Sequence, residues 1–110
     1  MEWVKIYESE AAALQEIPLA KARQLVVKNE KICLAHTRFG LFAVADACPH
    51  LGESLSKGTT NYLNEVVCPW HSYRYNLQTG AECKYRTRPA RTFLLENRSD
   101  GLYIGVPELA

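Results

Sequence analysis

Two short segments of the chain each place one cysteine and one histidine close together. Cys48 and His50 are separated by one residue, Cys68 and His71 by two, and 17 residues lie between His50 and Cys68. Thiolates and imidazoles are ligands of zinc, copper and iron–sulfur centres. Two sulfur and two nitrogen donors make a complete set of four ligands, so the pattern predicts a metal centre.

The residue after each cysteine favours the same local structure in both segments. Pro49 and Pro69 each fix the backbone φ and remove an N–H that could compete for hydrogen bonds. We therefore interpret the two segments as short ligand loops. They follow predicted strands that end near Asp46 and Val67.

The residues alone leave two kinds of metal centre open. A [2Fe–2S] cluster takes two ligands on each iron, and a pair of thiolates with a pair of histidines meets that need. A single zinc ion would accept the same four ligands and would make the chain a zinc-stabilised binding module. Zinc modules usually space paired ligands by two to four residues, so the single-residue gap between Cys48 and His50 favours the cluster.

Short β-rich runs must position these loops. A chain of 110 residues with 47% hydrophobic residues is typical of a single domain, here residues 1–110. Turn residues separate the runs, which predicts an all-β, antiparallel fold with one brief helix at 8–15 and hairpin turns at 29–30 and 99–101. The predicted strands are 3–7, 23–27, 31–36, 41–45, 65–68, 91–96 and 102–106.

Composition narrows the partners and the compartment. Thirteen basic and 12 acidic residues give a net charge of +1, which offers no overall field for nucleic acid or an anionic membrane. We see no signal peptide and no run of about 20 apolar residues, so we expect a cytoplasmic protein without a membrane span. In a reducing compartment, cysteines near histidines indicate metal rather than disulfides. Cys33 and Cys83 have no histidine partner in sequence, and we interpret each as a packed small hydrophobe or a surface thiol rather than a ligand, with a disulfide between them as the alternative.

The two loops, which read CPHLG from position 48 and CPWH from position 68, resemble the cluster-binding boxes of the Rieske ferredoxin family. The resemblance implies a stack of small antiparallel β-sheets that carries a [2Fe–2S] cluster on two loops. It implies that Cys48 and Cys68 bind the buried iron, while His50 and His71 bind the outer iron near the surface. Electrons would then enter and leave through the histidine edge.

The resemblance extends to other positions and also shows departures. Pro89 is similar to the proline of a third loop that closes the site, and Tyr75 aligns with a tyrosine that donates to a ligand thiolate. Respiratory-complex members carry an extra cysteine in each box, where this chain has Glu53 and Trp70, and they have glycine where this chain has Ser72. The sequence therefore resembles the soluble, oxygenase-associated type of lower potential.

The function implied by the resemblance is that of a one-electron carrier rather than an enzyme. Such a carrier would take electrons from a flavin reductase and pass them to a terminal oxygenase or another reductase. An oxygenase also needs a mononuclear iron bound by two histidines and a carboxylate, and only His36 remains once the ligand loops are counted. An accessory subunit of a nitrite-reductase-like complex is the alternative from another class.

A run of basic residues near Pro89 gives one hypothesis about partners. It could form a docking patch for an acidic redox protein, although such runs are usually solvated surface. Its members are Lys84, Arg86, Arg88 and Arg91.

Overall fold

Two antiparallel sheets form the framework of residues 1–107, the part of the chain that the structure, a computed structural model, describes. The elements are β1 (Glu2–Tyr7), α1 (Glu10–Glu16), β2 (Ala22–Val27), β3 (Glu30–Thr37), β4 (Gly40–Ala45), β5 (Thr59–Thr60), β6 (Glu65–Val67), β7 (Arg74–Asn76), β8 (Thr92–Arg98) and β9 (Gly101–Val106). The larger sheet has the order β1-β9-β8-β4-β3-β2, and the smaller sheet has the order β5-β6-β7. A single 3-10 turn, Leu55–Lys57, precedes β5.

Each of the seven predicted β-rich runs forms a strand, and each boundary lies within two residues of its prediction. The predicted helix is confirmed as α1, whose start is capped by the Ser9 hydroxyl accepting from the Ala12 N–H. The β2–β3 turn prediction was one residue late. Lys28 and Asn29 occupy the turn with left-handed φ values of 52° and 64°, and Glu30 already belongs to β3.

The hydrophobic core has two parts, and the two candidate cysteines lie in the one beside the smaller sheet. The first part, inside the larger sheet, includes Ile32, Leu34, Ala43, Phe93, Ile104 and Val106. The second part includes Cys48, Leu55, Val66, Cys68, Tyr75, Leu77 and Ala90. The cysteines of the two ligand loops are therefore anchored in a packed core rather than exposed at the surface. Among residues 1–107, no helix combines the length and apolar character needed to cross a bilayer.

The turn after β7 and the segment that leads to β8 meet backbone to backbone at Gly80. The Ala90 N–H donates to the Gly80 carbonyl at 2.8 Å. Gly80 has a φ of +83°, and a Cβ there would lie 1.9 Å from the Ala90 carbonyl oxygen. Only glycine satisfies both the left-handed backbone and this close approach.

We expect Gly80→Ala to lower the free energy of unfolding by about 3 kcal/mol, because a left-handed alanine costs about 1–2 kcal/mol and overpacking adds about 1–3 kcal/mol. Gly40→Ala is the matched control, since Gly40 has a φ of +118° but nothing within 4 Å of an added Cβ. The control should lose about 1–2 kcal/mol from backbone strain alone. Denaturant unfolding followed by far-ultraviolet circular dichroism measures both. Equal losses in the two variants would refute the close contact.

Candidate metal centre

The same backbone hydrogen bond closes both ligand loops. The Cys48 N–H donates to the Glu53 carbonyl at 2.8 Å, and the Cys68 N–H donates to the Tyr73 carbonyl at 2.8 Å. Each bond joins a cysteine to the fifth residue after it. Cys48 is the third residue after the end of β4, and Cys68 is the first residue after the end of β6. The prediction of two loops that follow strands is therefore confirmed in shape, and the loops present their cysteines in the same way.

The two thiols lie together in the core. Cys48 is 2% exposed and Cys68 is 1% exposed, and both belong to one packed cluster. Burial, together with a smaller contribution from the neighbouring Cys48 thiol, raises the pKa of the Cys68 thiol to about 11. A bound metal supplies the positive charge that favours the thiolate form at such a buried position.

The two imidazoles lie together on the outer side of the thiols. The ring centroids of His50 and His71 are 5.5 Å apart with an interplanar angle of 70°. His71 is exposed and has a left-handed φ of 66°, whereas His50 is half-buried. The Nδ1 atom of His50 is buried and has no hydrogen-bond partner among the described residues. An orphaned buried nitrogen of this kind fits a metal ligand.

The donors divide into a buried pair of thiols and an outer pair of imidazoles. Among residues 1–107, no three His, Cys, Asp or Glu side chains are grouped closely enough to hold one metal ion. A buried pair of thiols and an outer pair of imidazoles is the division of ligands that a Rieske-type [2Fe–2S] cluster needs. The residues present therefore fit such a cluster, in which Cys48 and Cys68 could bind one iron and His50 and His71 the other.

Tyr75 contacts this site where the resemblance implied. Its hydroxyl lies 3.2 Å from the Cys48 Sγ, and the ring is fully buried. Burial and the hydrogen bond to Cys48 raise the pKa of Tyr75, so the hydroxyl keeps its proton and can donate a hydrogen bond to a thiolate. Thr87 Oγ1 lies 3.4 Å from the same hydroxyl and joins the segment before Pro89 to the site.

Asp46 supports the first loop, and sequence reasoning assigned it no role. It is 3% exposed, and its carboxylate accepts from the Ser54 hydroxyl at 2.6 Å, the Gln24 amide at 2.6 Å and the Ser56 N–H at 2.8 Å. Burial pushes the pKa of Asp46 upward, but these hydrogen bonds outweigh it and the pKa lies below its usual range. The only signal in the sequence is a polar cluster around the first box, which does not specify these contacts.

The remaining cysteines and His36 lie outside the site. Cys33 is fully buried in the core and Cys83 is half-buried, and all four cysteines are free thiols. His36 Nδ1 donates to the Ile17 carbonyl at 2.7 Å, which is a structural contact. Pro89 is exposed, while the next residue, Ala90, packs in the same cluster as the two candidate cysteines.

The basic run is only partly available for docking. Arg86 pairs with the buried Glu82 at 2.8 Å, and Arg91 pairs with Glu30 at 2.8 Å. Two of its four members are thus bound within the molecule. The other two, Lys84 and Arg88, are exposed.

Comparisons with known proteins agree with this geometry. The model of the Rieske [2Fe-2S] domain family matches residues 3–96. The 3-phenylpropionate/cinnamic acid dioxygenase ferredoxin subunit of Photorhabdus laumondii is 34% identical over 96 residues, which cover 86% of this chain and 90% of that protein. Among solved structures, the ferredoxin of carbazole 1,9a-dioxygenase from Nocardioides aromaticivorans IC177 has a TM-score of 0.78 and 17% identity, covering 94% of this chain and 97% of that one. A chain in the complex of reduced oxygenase and oxidized ferredoxin in carbazole 1,9a-dioxygenase has a TM-score of 0.76 and 23% identity, covering 93% and 91%.

These matches confirm several predictions made from the sequence. The structural neighbours confirm the Rieske-like, all-β fold, and the family match confirms the [2Fe–2S] cofactor. The function is that of a ferredoxin-type electron carrier rather than of an enzyme, and this is favoured over the accessory subunit and the zinc module. With the paired donors of its two loops and a family model that spans most of its length, the chain belongs to the Rieske [2Fe–2S] domain family.

Proposed function

We propose that the chain carries single electrons from a flavin reductase to a terminal oxygenase, with Cys48, His50, Cys68 and His71 as the cluster ligands. The observation that carries this proposal is the separation of the donors, with two thiols deep in the core and two imidazoles toward the surface. When bound, the cluster accepts and releases one electron at a time. We also place the carrier in the cytoplasm, where a reducing environment keeps its four cysteines from forming disulfides.

The histidine side of the site offers a surface on which a partner can dock. Leu51 is 53% exposed and Trp70 is 54% exposed, and the Trp70 ring lies 5.7 Å from the His71 ring. We name Leu51, Trp70 and His71 the docking face. A partner seated there approaches the imidazole ligands directly, whereas the thiols lie within the core. Exposed aromatic and aliphatic anchors with a polar rim are the usual centre of a protein interface.

The charge around the docking face favours an acidic partner. Lys84 and Arg88 are exposed and make no ion pair among residues 1–107. They flank Thr87 and Arg86, whose side chains contact Tyr75 and Tyr73 beside the site. Complementary charge raises association rates, and salt screens this effect. The flavin reductase and the oxygenase would therefore both present acidic surfaces.

The test is electron transfer with a variant of the docking face. We expect Trp70→Ala to slow reduction by a flavin reductase of an oxygenase system about tenfold, because losing an interface anchor weakens the encounter complex by about 1.4 kcal/mol. Stopped-flow absorbance at low salt gives the second-order rate constant, and a redox titration checks that the potential is unchanged.

Tyr62→Ala is the control for this experiment. Tyr62 is 71% exposed but lies in the turn between β5 and β6, at the opposite end of β6 from Cys68. Its rate constant should equal that of the parent protein. Equal rates for Trp70→Ala and the parent would contradict docking at this face. Uptake of any number of electrons other than one per chain in the titration would contradict the carrier itself.

A further inference from the structure

A stack of three planar groups covers one face of His50. The Tyr73 ring lies parallel to the imidazole, with centroids 4.0 Å apart and an interplanar angle of 6°. The guanidinium carbon of Arg86 lies 3.7 Å from the centroid of the Tyr73 ring. Because both neighbours lie directly over the phenol ring, they occupy its opposite faces. The Tyr73 ring therefore lies between the Arg86 guanidinium and the His50 imidazole.

A buried carboxylate fixes the orientation of Arg86. The Glu82 side chain is fully buried and accepts from Arg86 Nε at 3.0 Å and from a terminal guanidinium nitrogen at 2.8 Å. It also accepts from the backbone N–H groups of Arg86 at 2.8 Å and Lys84 at 3.1 Å. A bidentate ion pair of this kind fixes the plane of the guanidinium as well as its position.

The backbone ties Glu82 to the strand that carries the site. Glu82 forms a β-bridge with Tyr75, and the Cys83 N–H donates to the Arg74 carbonyl at 2.9 Å. A buried carboxylate is costly unless it is fully paired, so packing alone does not explain its presence. Three of its hydrogen bonds come from Arg86, whose guanidinium lies against Tyr73, and the others come from the Lys84 N–H and the Cys83 Sγ.

We propose that Glu82 and Arg86 are positioning residues of the metal centre, which hold Tyr73 flat against His50 and place a cation beside the outer ligand pair. This inference rests on the proposed role of His50 as a ligand. A fixed positive charge stabilises the extra negative charge of the reduced state, and a clamped ring gives the imidazole one orientation. Arg86 therefore acts within the molecule, unlike the docking role considered from the sequence.

The test replaces Arg86 and measures the redox equilibrium and the electron paramagnetic resonance spectrum of the holoprotein. In Arg86→Gln the reduced-to-oxidised ratio at a fixed ambient potential should fall about threefold, because a cation held at a fixed place beside the outer ligand pair is lost. The spectrum of the reduced protein should broaden, since His50 gains more than one orientation. Arg86→Lys restores the positive charge without the planar, bidentate guanidinium. The reduced-to-oxidised ratio should therefore recover, while the spectrum of the reduced protein should stay broadened.

Arg88→Gln is the matched control, because Arg88 is exposed and makes no ion pair among the described residues. It should change the ratio less than twofold and leave the spectrum sharp. Equal shifts in Arg86→Gln and Arg88→Gln would reduce the effect to net charge and overturn the proposal, as would a parent-like Arg86→Gln. If Arg86→Gln does not assemble a cluster, Arg86→Lys decides: a broadened spectrum supports the clamp and a parent-like one refutes it. Absence of iron from the parent protein would instead overturn the proposed ligands, and this inference with them.

Discussion

Cys68→Ser is expected to purify without the visible colour of an iron–sulfur protein and with almost no iron or inorganic sulfide. The Cys68 side chain is 1% exposed and lies beside Cys48. Cys68 begins a loop that its own N–H closes by donating to the Tyr73 carbonyl. A serine hydroxyl is a much weaker ligand for iron than a thiolate, and the only other described cysteine in the two loops, Cys48, is itself a proposed ligand. Metal binding also stabilises the folded loops, so the variant should unfold more readily than the parent.

Cys83→Ser is the control for this loss. The Cys83 Sγ lies 3.2 Å from the Glu82 carboxylate, and a serine hydroxyl can donate the same hydrogen bond. This variant should contain as much iron and sulfide as the parent. A Cys68→Ser protein with a complete cluster would refute the ligand assignment. An equal loss in Cys83→Ser would show that the assay reports general damage to cysteine rather than loss of a ligand.

Tyr75→Phe should lower the reduction potential by about 40–60 mV. The Tyr75 hydroxyl lies 3.2 Å from the Cys48 Sγ, and the hydrogen bond that it donates is stronger when the cluster carries its extra electron. A difference of about 1–1.4 kcal/mol between the two redox states corresponds to this shift, since 59 mV is tenfold for a one-electron couple. A redox titration of the purified protein measures the potential.

Tyr62→Phe tests whether the shift belongs to the contact with Cys48. This variant loses a hydroxyl from a side chain that is 71% exposed and lies before β6, at the opposite end of that strand from Cys68. The reduction potential of Tyr62→Phe should therefore match that of the parent. Tyr75→Phe also leaves Thr87 Oγ1 without that partner, but Thr87 already contacts the Arg88 carbonyl at 2.9 Å. An unchanged or raised potential in Tyr75→Phe would exclude donation to the ligand sulfur.

Residue type and local spacing were enough to predict the candidate ligands and the longer strands. The two loops are continuous in sequence, so the presence of a cysteine and a histidine in each was visible without tertiary contacts. Strands β5 and β7 were not predicted, because two or three residues are too few to show an alternating pattern. The shifted turn at Lys28 and Asn29 has a similar cause, since lysine does not signal a left-handed backbone.

The polar supports of the site could not be predicted in the same way. Glu82 and Arg86 are four residues apart in a segment that is not helical, so no periodic rule pairs them. The sequence showed only that Arg86 belongs to a basic run, whereas its contact with Tyr73 depends on how the turn after β7 folds back. Asp46 likewise gains its role from Gln24, which lies on another strand.

The most direct test of the central claim is a Mössbauer spectrum of the oxidised protein enriched in ⁵⁷Fe. If Cys48 and Cys68 bind one iron while His50 and His71 bind the other, the two irons have different donors and should give two quadrupole doublets of equal area. A single doublet would mean that both irons have the same ligands. That result, or a protein that holds no iron, would contradict the account.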